Sequence, residues 1–265
     1  MNFTYSPDKL AALHRTVSVE RLAPYMDAAT GDVEAAIRLY ELNARMSAAF
    51  YGPLQGLEIT VRNAIDEQLR TTFGDDWTSL KNVQVQQQQK DDIYQAIKEA
   101  TDDDKAAQDY AHGDVIANLR FGFWIGLLNP KNEIEVWRKC LFRAFPHRPK
   151  GVERKAIQGA LNSVRRLRNR VAHHCRIIHR DLVADHANIL EIAGWVCPDT
   201  RDWIASLSTF DPSLIPVPQD GLPFEGVPTV DPIPPATPSP AAMADPLAKP
   251  ALNGRKVLSV KAAAK

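Results

Sequence analysis

Pro53-Leu-Gln-Gly-Leu-Glu-Ile-Thr-Val-Arg-Asn-Ala-Ile-Asp-Glu-Gln-Leu69 sets Leu54, Leu57, Val61, Ala64, Ile65 and Leu69 mostly three or four residues apart. That spacing follows the 3.6-residue helical turn and gathers these side chains on one apolar stripe. Proline suits a first helical turn, so a helix is expected to begin at Pro53. Asp32 is a candidate N-cap for the run before it, with Ile37, Tyr40, Ala44, Ser47 and Phe50 or Tyr51 on one face, and Ser18 a candidate for an earlier one. Downstream, helices are expected over residues 91–100, 114–128, 133–145 and 152–179. Another opens at Asp181 or Leu182 and ends near Pro198, and Thr200 caps a last short one holding Trp203, Ile204 and Leu207. Strand-like alternation is missing throughout. The expected class is all-α, a multi-helix bundle.

The 265 residues are 45% hydrophobic and 24% charged, enough apolar material for a sizeable core. No apolar run approaches the roughly 18 to 20 residues of a membrane span. The first seventeen residues are read as a lead-in without the basic and apolar regions of a signal peptide. Cys140, Cys175 and Cys197 are too few and scattered for a disulfide framework, so a cytoplasmic location is expected, with no membrane partner. The helical domain is expected to span residues 18–210. Twelve of the nineteen prolines lie beyond Phe210, with Phe224 as the one aromatic there, so residues 211–265 read as an extended, poorly ordered tail with a small basic end.

The chemistry concentrates in Arg165-Arg-Leu-Arg-Asn-Arg-Val-Ala-His-His-Cys-Arg176, which holds five arginines, one asparagine and two adjacent histidines. Like charges one helical turn apart repel, so structure alone gives little reason for this density. Guanidinium groups bind phosphate through paired hydrogen bonds, and imidazole moves protons near neutral pH. Residues 147–181 carry ten Lys or Arg against two Asp or Glu, whereas residues 75–109 carry nine acidic against four basic. In a chain of zero net charge this segregation focuses a positive field that attracts a polyanion. RNA is the expected partner. The plainer alternative is a solvated basic helix face.

At roughly 100° per residue, Leu161, Val164, Val171, Cys175 and Ile178 fall on one apolar face, with Arg168 in its midst. Asn169 and His173 share a second face; Arg170 and His174 share a third. An arginine within an apolar stripe needs an anion, a carboxylate or a subunit interface. Arg168 lies about 140° from His173 and about 120° from His174, so a second copy across a two-fold axis would supply the missing partner. A homodimer is therefore expected. Glu58 and Arg62 form a favourable i, i+4 pair, which orients Arg62 and Asn63 or supports the basic helix from behind.

Arg168-Asn169 followed by His173 or His174 resembles the arginine–histidine signature of the HEPN superfamily. The string Leu167-Arg-Asn-Arg-Val-Ala-His-His174 is similar to its Abi-like branch, bacterial proteins linked to abortive infection by phages. Ala36-Ile-Arg-Leu-Tyr40 with Asn43, Leu57-Glu-Ile-Thr-Val-Arg-Asn-Ala-Ile65, Phe121-Gly-Phe-Trp124, and Trp195-Val-Cys-Pro198 with Trp203-Ile204 resemble further elements of that branch, in order, over about residues 18–208. The resemblance implies a dimeric all-α bundle and, in active members, a metal-independent endoribonuclease acting in phage defence. On that reading Arg168 binds the scissile phosphate, Asn169 positions it or the imidazole, and His173 or His174 transfers protons, with His173 favoured because Asn169 lies one turn before it. Arg165, Arg166, Arg170 and Arg176 would hold flanking RNA, and an antitoxin-like partner would restrain the activity.

His173, His174, Cys175 and His179 also raise zinc, but no Cys-x2-Cys pair accompanies them, so neither metal nor cofactor is expected. Phosphate-loop, Rossmann and nucleophile-elbow motifs are missing as well. The alternative function is a non-catalytic helical module that binds RNA or a protein.

Overall fold

The computed structural model describes residues 3–101 and 111–215, which are helical with no strand among them. The Pro-rich segment beyond residue 215, its basic end, and the acidic residues 102–110 lie outside the described residues. Nine α-helices follow in order: α1 Pro7–Val17, α2 Val19–Ala28, α3 Val33–Phe73, α4 Gln87–Ala100, α5 His112–Asn118, α6 Phe121–Gly126, α7 Arg154–Ala172, α8 Leu182–Val196 and α9 Pro198–Leu207. Ser18, Asp32 and Asp181 are N-caps as expected, each accepting the backbone N–H three residues on. The lead-in supplies α1, which packs against α2 and α3.

α3 is the spine of the bundle and one continuous helix of 41 residues, where two helices meeting at Pro53 were expected. Proline deprives the helix of one N–H, which would otherwise reach Ala49. The buried ring and its neighbours Ala49, Phe50, Leu54 and Leu57 all lie in the core, and packing of that kind sustains a helix through a local defect. The buried stripe of the first half is Ala36, Ile37, Asn43, Met46 and Phe50; Ala44, read as inward, is exposed. α9 lies directly on this spine. A Cβ at Gly56 would meet Ile204 Cγ1 at 2.8 Å, so only glycine permits the approach.

Other boundaries also differ from the sequence reading. The helix expected over 114–128 breaks at Leu119, whose carbonyl accepts the Trp124 indole N–H at 3.3 Å. Residues 130–144 form short 3₁₀ turns around a π-helical turn at Glu133–Trp137, where one helix was expected. α9 starts at Pro198, two residues before Thr200. Trp77, Phe123 and Trp124 fill the centre of the lower core, and Asp66 accepts the Trp77 indole N–H at 2.8 Å. The Phe210 ring lies tilted against those of Phe50 and His186, and Ile215 packs against the same core. No helix of the described residues is long and apolar enough to cross a membrane.

Candidate functional site

α7 buries Ile157, Leu161, Val164 and Leu167 against the core and ends at Ala172, well short of the expected His179. The chain closes the helix with a Schellman turn. His174 N–H donates to the Val171 carbonyl at 3.1 Å, and Cys175 N–H donates back to Arg170 at 2.8 Å. The turn needs a left-handed residue, a position that favours glycine. His174 occupies it, with φ +56°. His173 is the C-cap, its N–H bonded to the Asn169 carbonyl at 2.9 Å. The helical-wheel faces assigned to His173, His174, Cys175 and Ile178 are therefore superseded, because these residues lie beyond the helix. Both histidines are exposed. A left-handed non-glycine residue stores about 1–2 kcal/mol of strain.

What holds the strained turn in place is a set of contacts from three helices. Arg21 of α2 donates to the His174 carbonyl at 2.7 Å. Asn43, buried on α3, accepts the N–H groups of Ile177 at 2.6 Å and Ile178 at 3.3 Å, and donates to the Cys175 carbonyl at 3.4 Å. Arg170 of α7 grips the Arg176 carbonyl through Nε and Nη2, while Arg176 reaches the Pro24 carbonyl at 2.7 Å. Two of the arginines expected to hold RNA thus bind backbone oxygens. Arg21 carried no signal in the sequence, and Asn43 stood out only within the family resemblance, which gave it no role.

Behind the turn, a cleft of about 240 Å³ opens between α3 and α7, lined by Tyr51, Leu54, Glu58, Arg62, Arg168 and Val171, among others. Arg168 Nε meets Glu58 Oε2 at 3.2 Å. The Glu58–Arg62 pair is absent: Arg62 donates instead to its neighbour Asn63 at 3.2 Å. The Arg168 side chain remains 42% exposed, so its guanidinium is open to an incoming anion. Of the partners expected for Arg168 (an anion, a carboxylate or a subunit interface), the carboxylate is present in its own chain, at Glu58. Arg166 and Asn169 are exposed on α7, whereas Arg165 turns to a different cleft beside α4 and α6.

His179, weighed in the sequence only as a zinc ligand, follows the turn. Burial, reinforced by the charges of Arg170, Arg176 and Arg180, pulls its pKa down to about 4. Its Nδ1 is buried with no hydrogen-bond partner among the described residues. No group of three His, Cys, Asp or Glu among those residues is arranged to hold a metal ion.

The arrangement offers two exposed imidazoles on a pinned turn, an exposed amide one helical turn before them, and a guanidinium already bound to a carboxylate. Such a set can transfer protons and contact a phosphate. Compared with protein-family models, curated proteins and solved structures, the chain matches none.

Proposed function

We propose that this protein is an Abi-like member of the HEPN superfamily and a metal-independent endoribonuclease of a phage-defence system. The observation that carries the proposal is the turn after α7. Two neighbouring exposed histidines stand there, one in a strained left-handed conformation, on backbone fixed by Arg21, Asn43 and Arg170. Strain maintained by surrounding contacts is characteristic of working sites.

In the proposed reaction, His173 accepts the proton of an RNA 2′-hydroxyl as its oxygen attacks phosphorus. His174 gives a proton to the departing 5′-oxygen, and a 2′,3′-cyclic phosphate forms. Arg168 exchanges Glu58 for the phosphate and balances the charge gathering on its oxygens, while Asn169 orients phosphate or imidazole. The test is cleavage of total RNA in EDTA by wild type and by the His173→Ala/His174→Ala double variant. The double variant is expected to lose cleavage and keep RNA affinity within about threefold.

We propose further that the protein works as a homodimer through the exposed apolar side chains Tyr51, Ile59, Trp203 and Leu207 of α3 and α9, which sedimentation tests directly. An antitoxin-like protein that covers the same turn belongs to this reading. The second reading is a non-catalytic RNA- or protein-binding module. It is favoured by Arg170 and Arg176 binding carbonyls and by the pairing of Arg168 with Glu58. RNA or protein binding by a wild type that cuts no RNA would select it.

A further inference from the structure

Arg165 lies apart from the histidine turn, in a second cleft of about 200 Å³ between α4, α6 and α7. Two polar atoms there are buried without a partner among the described residues: Arg165 Nε, a donor, and Gln89 Oε1, an acceptor. Gln89 is only 4% exposed. An unmet buried polar atom costs about 1–3 kcal/mol, a cost that a ligand bound in the cleft would remove. Both side chains pack directly against α6. A Cβ at Gly126 would meet Gln89 Nε2 at 2.9 Å, and one at Gly122 would meet Arg165 Nη1 at 3.5 Å. The missing Cβ at Gly126 thus gives the Gln89 amide its place in the wall of the cleft.

The polar groups say what kind of ligand fits. Asp92, held by the Gln88 amide at 3.0 Å, shares the cleft with Arg165 and offsets its charge, so a phosphate finds no net positive field. The space is also below the roughly 300–1,000 Å³ usual for whole small-molecule ligands. A guanidinium donor beside the acceptors Asp92 and Gln89 fits a group that presents acceptors next to donors along one edge. Guanine does this, with O6 and N7 accepting and its neighbouring N1–H and N2–H₂ donating. Uracil offers a single N–H between two acceptors, and adenine, whose N7 could accept from the arginine, has one donor group, N6–H₂, where guanine offers two.

We propose that this cleft is a subsite for a guanine base, supplied by an RNA strand or by a free guanine nucleotide. Arg165 would donate to O6 or N7, and Asp92 and Gln89 would accept from N1–H and N2–H₂. Eight residues of α7 separate Arg165 from His173, about 12 Å along the helix axis, so a base held here belongs to RNA close to the histidine turn. Only this last step rests on the ribonuclease reading.

The experiment measures fluorescence anisotropy of the full-length His173→Ala/His174→Ala protein with a labelled single-stranded oligoadenylate, and with the same strand carrying one guanine. Guanosine and adenosine 5′-monophosphates serve as competitors. The guanine strand is expected to bind at least tenfold tighter. Asp92→Asn and, separately, Arg165→Met should each erase most of that preference with circular dichroism unchanged. Competition by guanosine monophosphate identifies the free nucleotide as a ligand; competition by the guanine strand alone identifies RNA. Equal affinity for both strands with no competition by guanosine monophosphate, or a guanine preference untouched by both variants, overturns the subsite. A wild-type protein that cuts no RNA yet keeps the guanine preference would refute the ribonuclease reading and leave the subsite standing.

Discussion

His174→Gly should make the protein more stable while removing one of its two exposed imidazoles. The left-handed conformation at φ +56° costs a non-glycine residue about 1–2 kcal/mol, and glycine avoids that cost. Glycine gives back about 0.5–1 kcal/mol, because its unfolded chain has more freedom to lose. His174 is exposed, so little packing is sacrificed. The net gain is about 0.5–1 kcal/mol, which for a domain of this size raises the thermal midpoint by about 1–4 °C. His174→Val should fall by a similar amount or more, since a β-branched residue tolerates this conformation worst. Differential scanning calorimetry on the three proteins reads both shifts. A midpoint that falls with glycine, or does not fall with valine, would refute a Schellman turn centred on His174. A more stable variant with weaker RNA cleavage would be the pattern of strain kept for function.

Three other perturbations report on the same region. Asn43→Ala strands the N–H groups of Ile177 and Ile178, at about 1–3 kcal/mol each, and should lower the thermal midpoint by about 4–24 °C; an unchanged midpoint would mean that Asn43 does not anchor the turn. Glu58→Gln should change stability by less than about 1 kcal/mol, because the pair with Arg168 is partly exposed, yet raise RNA affinity several-fold by releasing the guanidinium; unchanged affinity in a binding titration would exclude Arg168 from RNA contact. His179 has a folded pKa near 4, below its ordinary value near 6.5, so the unfolded chain binds more protons between those values. Stability from this group is full above about pH 6.5 and falls as pH drops toward 4. Thermal midpoints of wild type and His179→Gln across pH 4–8 should diverge in slope within that window, and parallel curves would contradict the burial of a neutral His179.

The helical periodicity carried most of the fold, because apolar spacing in α3, α7 and α8 reports directly which side faces the core. It misplaced ends and joins. Pro53 reads locally as a helix start, and only the packing around it sustains a helix on both sides. Leu119 reads as an ordinary helical leucine, and the indole of Trp124 that takes its carbonyl is a tertiary partner. At the site, the concentration of arginine and histidine was visible, but the division of labour was not. Arg170 and Arg176 look like RNA ligands in sequence and bind carbonyls in the fold, while the partner of Arg168 lies 110 residues away at Glu58. His174 carries no local mark of a left-handed turn, since glycine is the residue that normally signals one.

The central claim is that the turn after α7 cleaves RNA by proton transfer and leaves 2′,3′-cyclic phosphate and 5′-hydroxyl ends. Mass spectrometry of a synthetic RNA cut once by the purified protein in EDTA tests it most directly, with the His173→Ala/His174→Ala protein alongside. The account predicts a 5′ fragment ending in a 2′,3′-cyclic phosphate or its hydrolysed monophosphate, a 3′ fragment beginning with a 5′-hydroxyl, and no products from the double variant. Fragments bearing 5′-phosphates, or equal cleavage by the double variant, would contradict it.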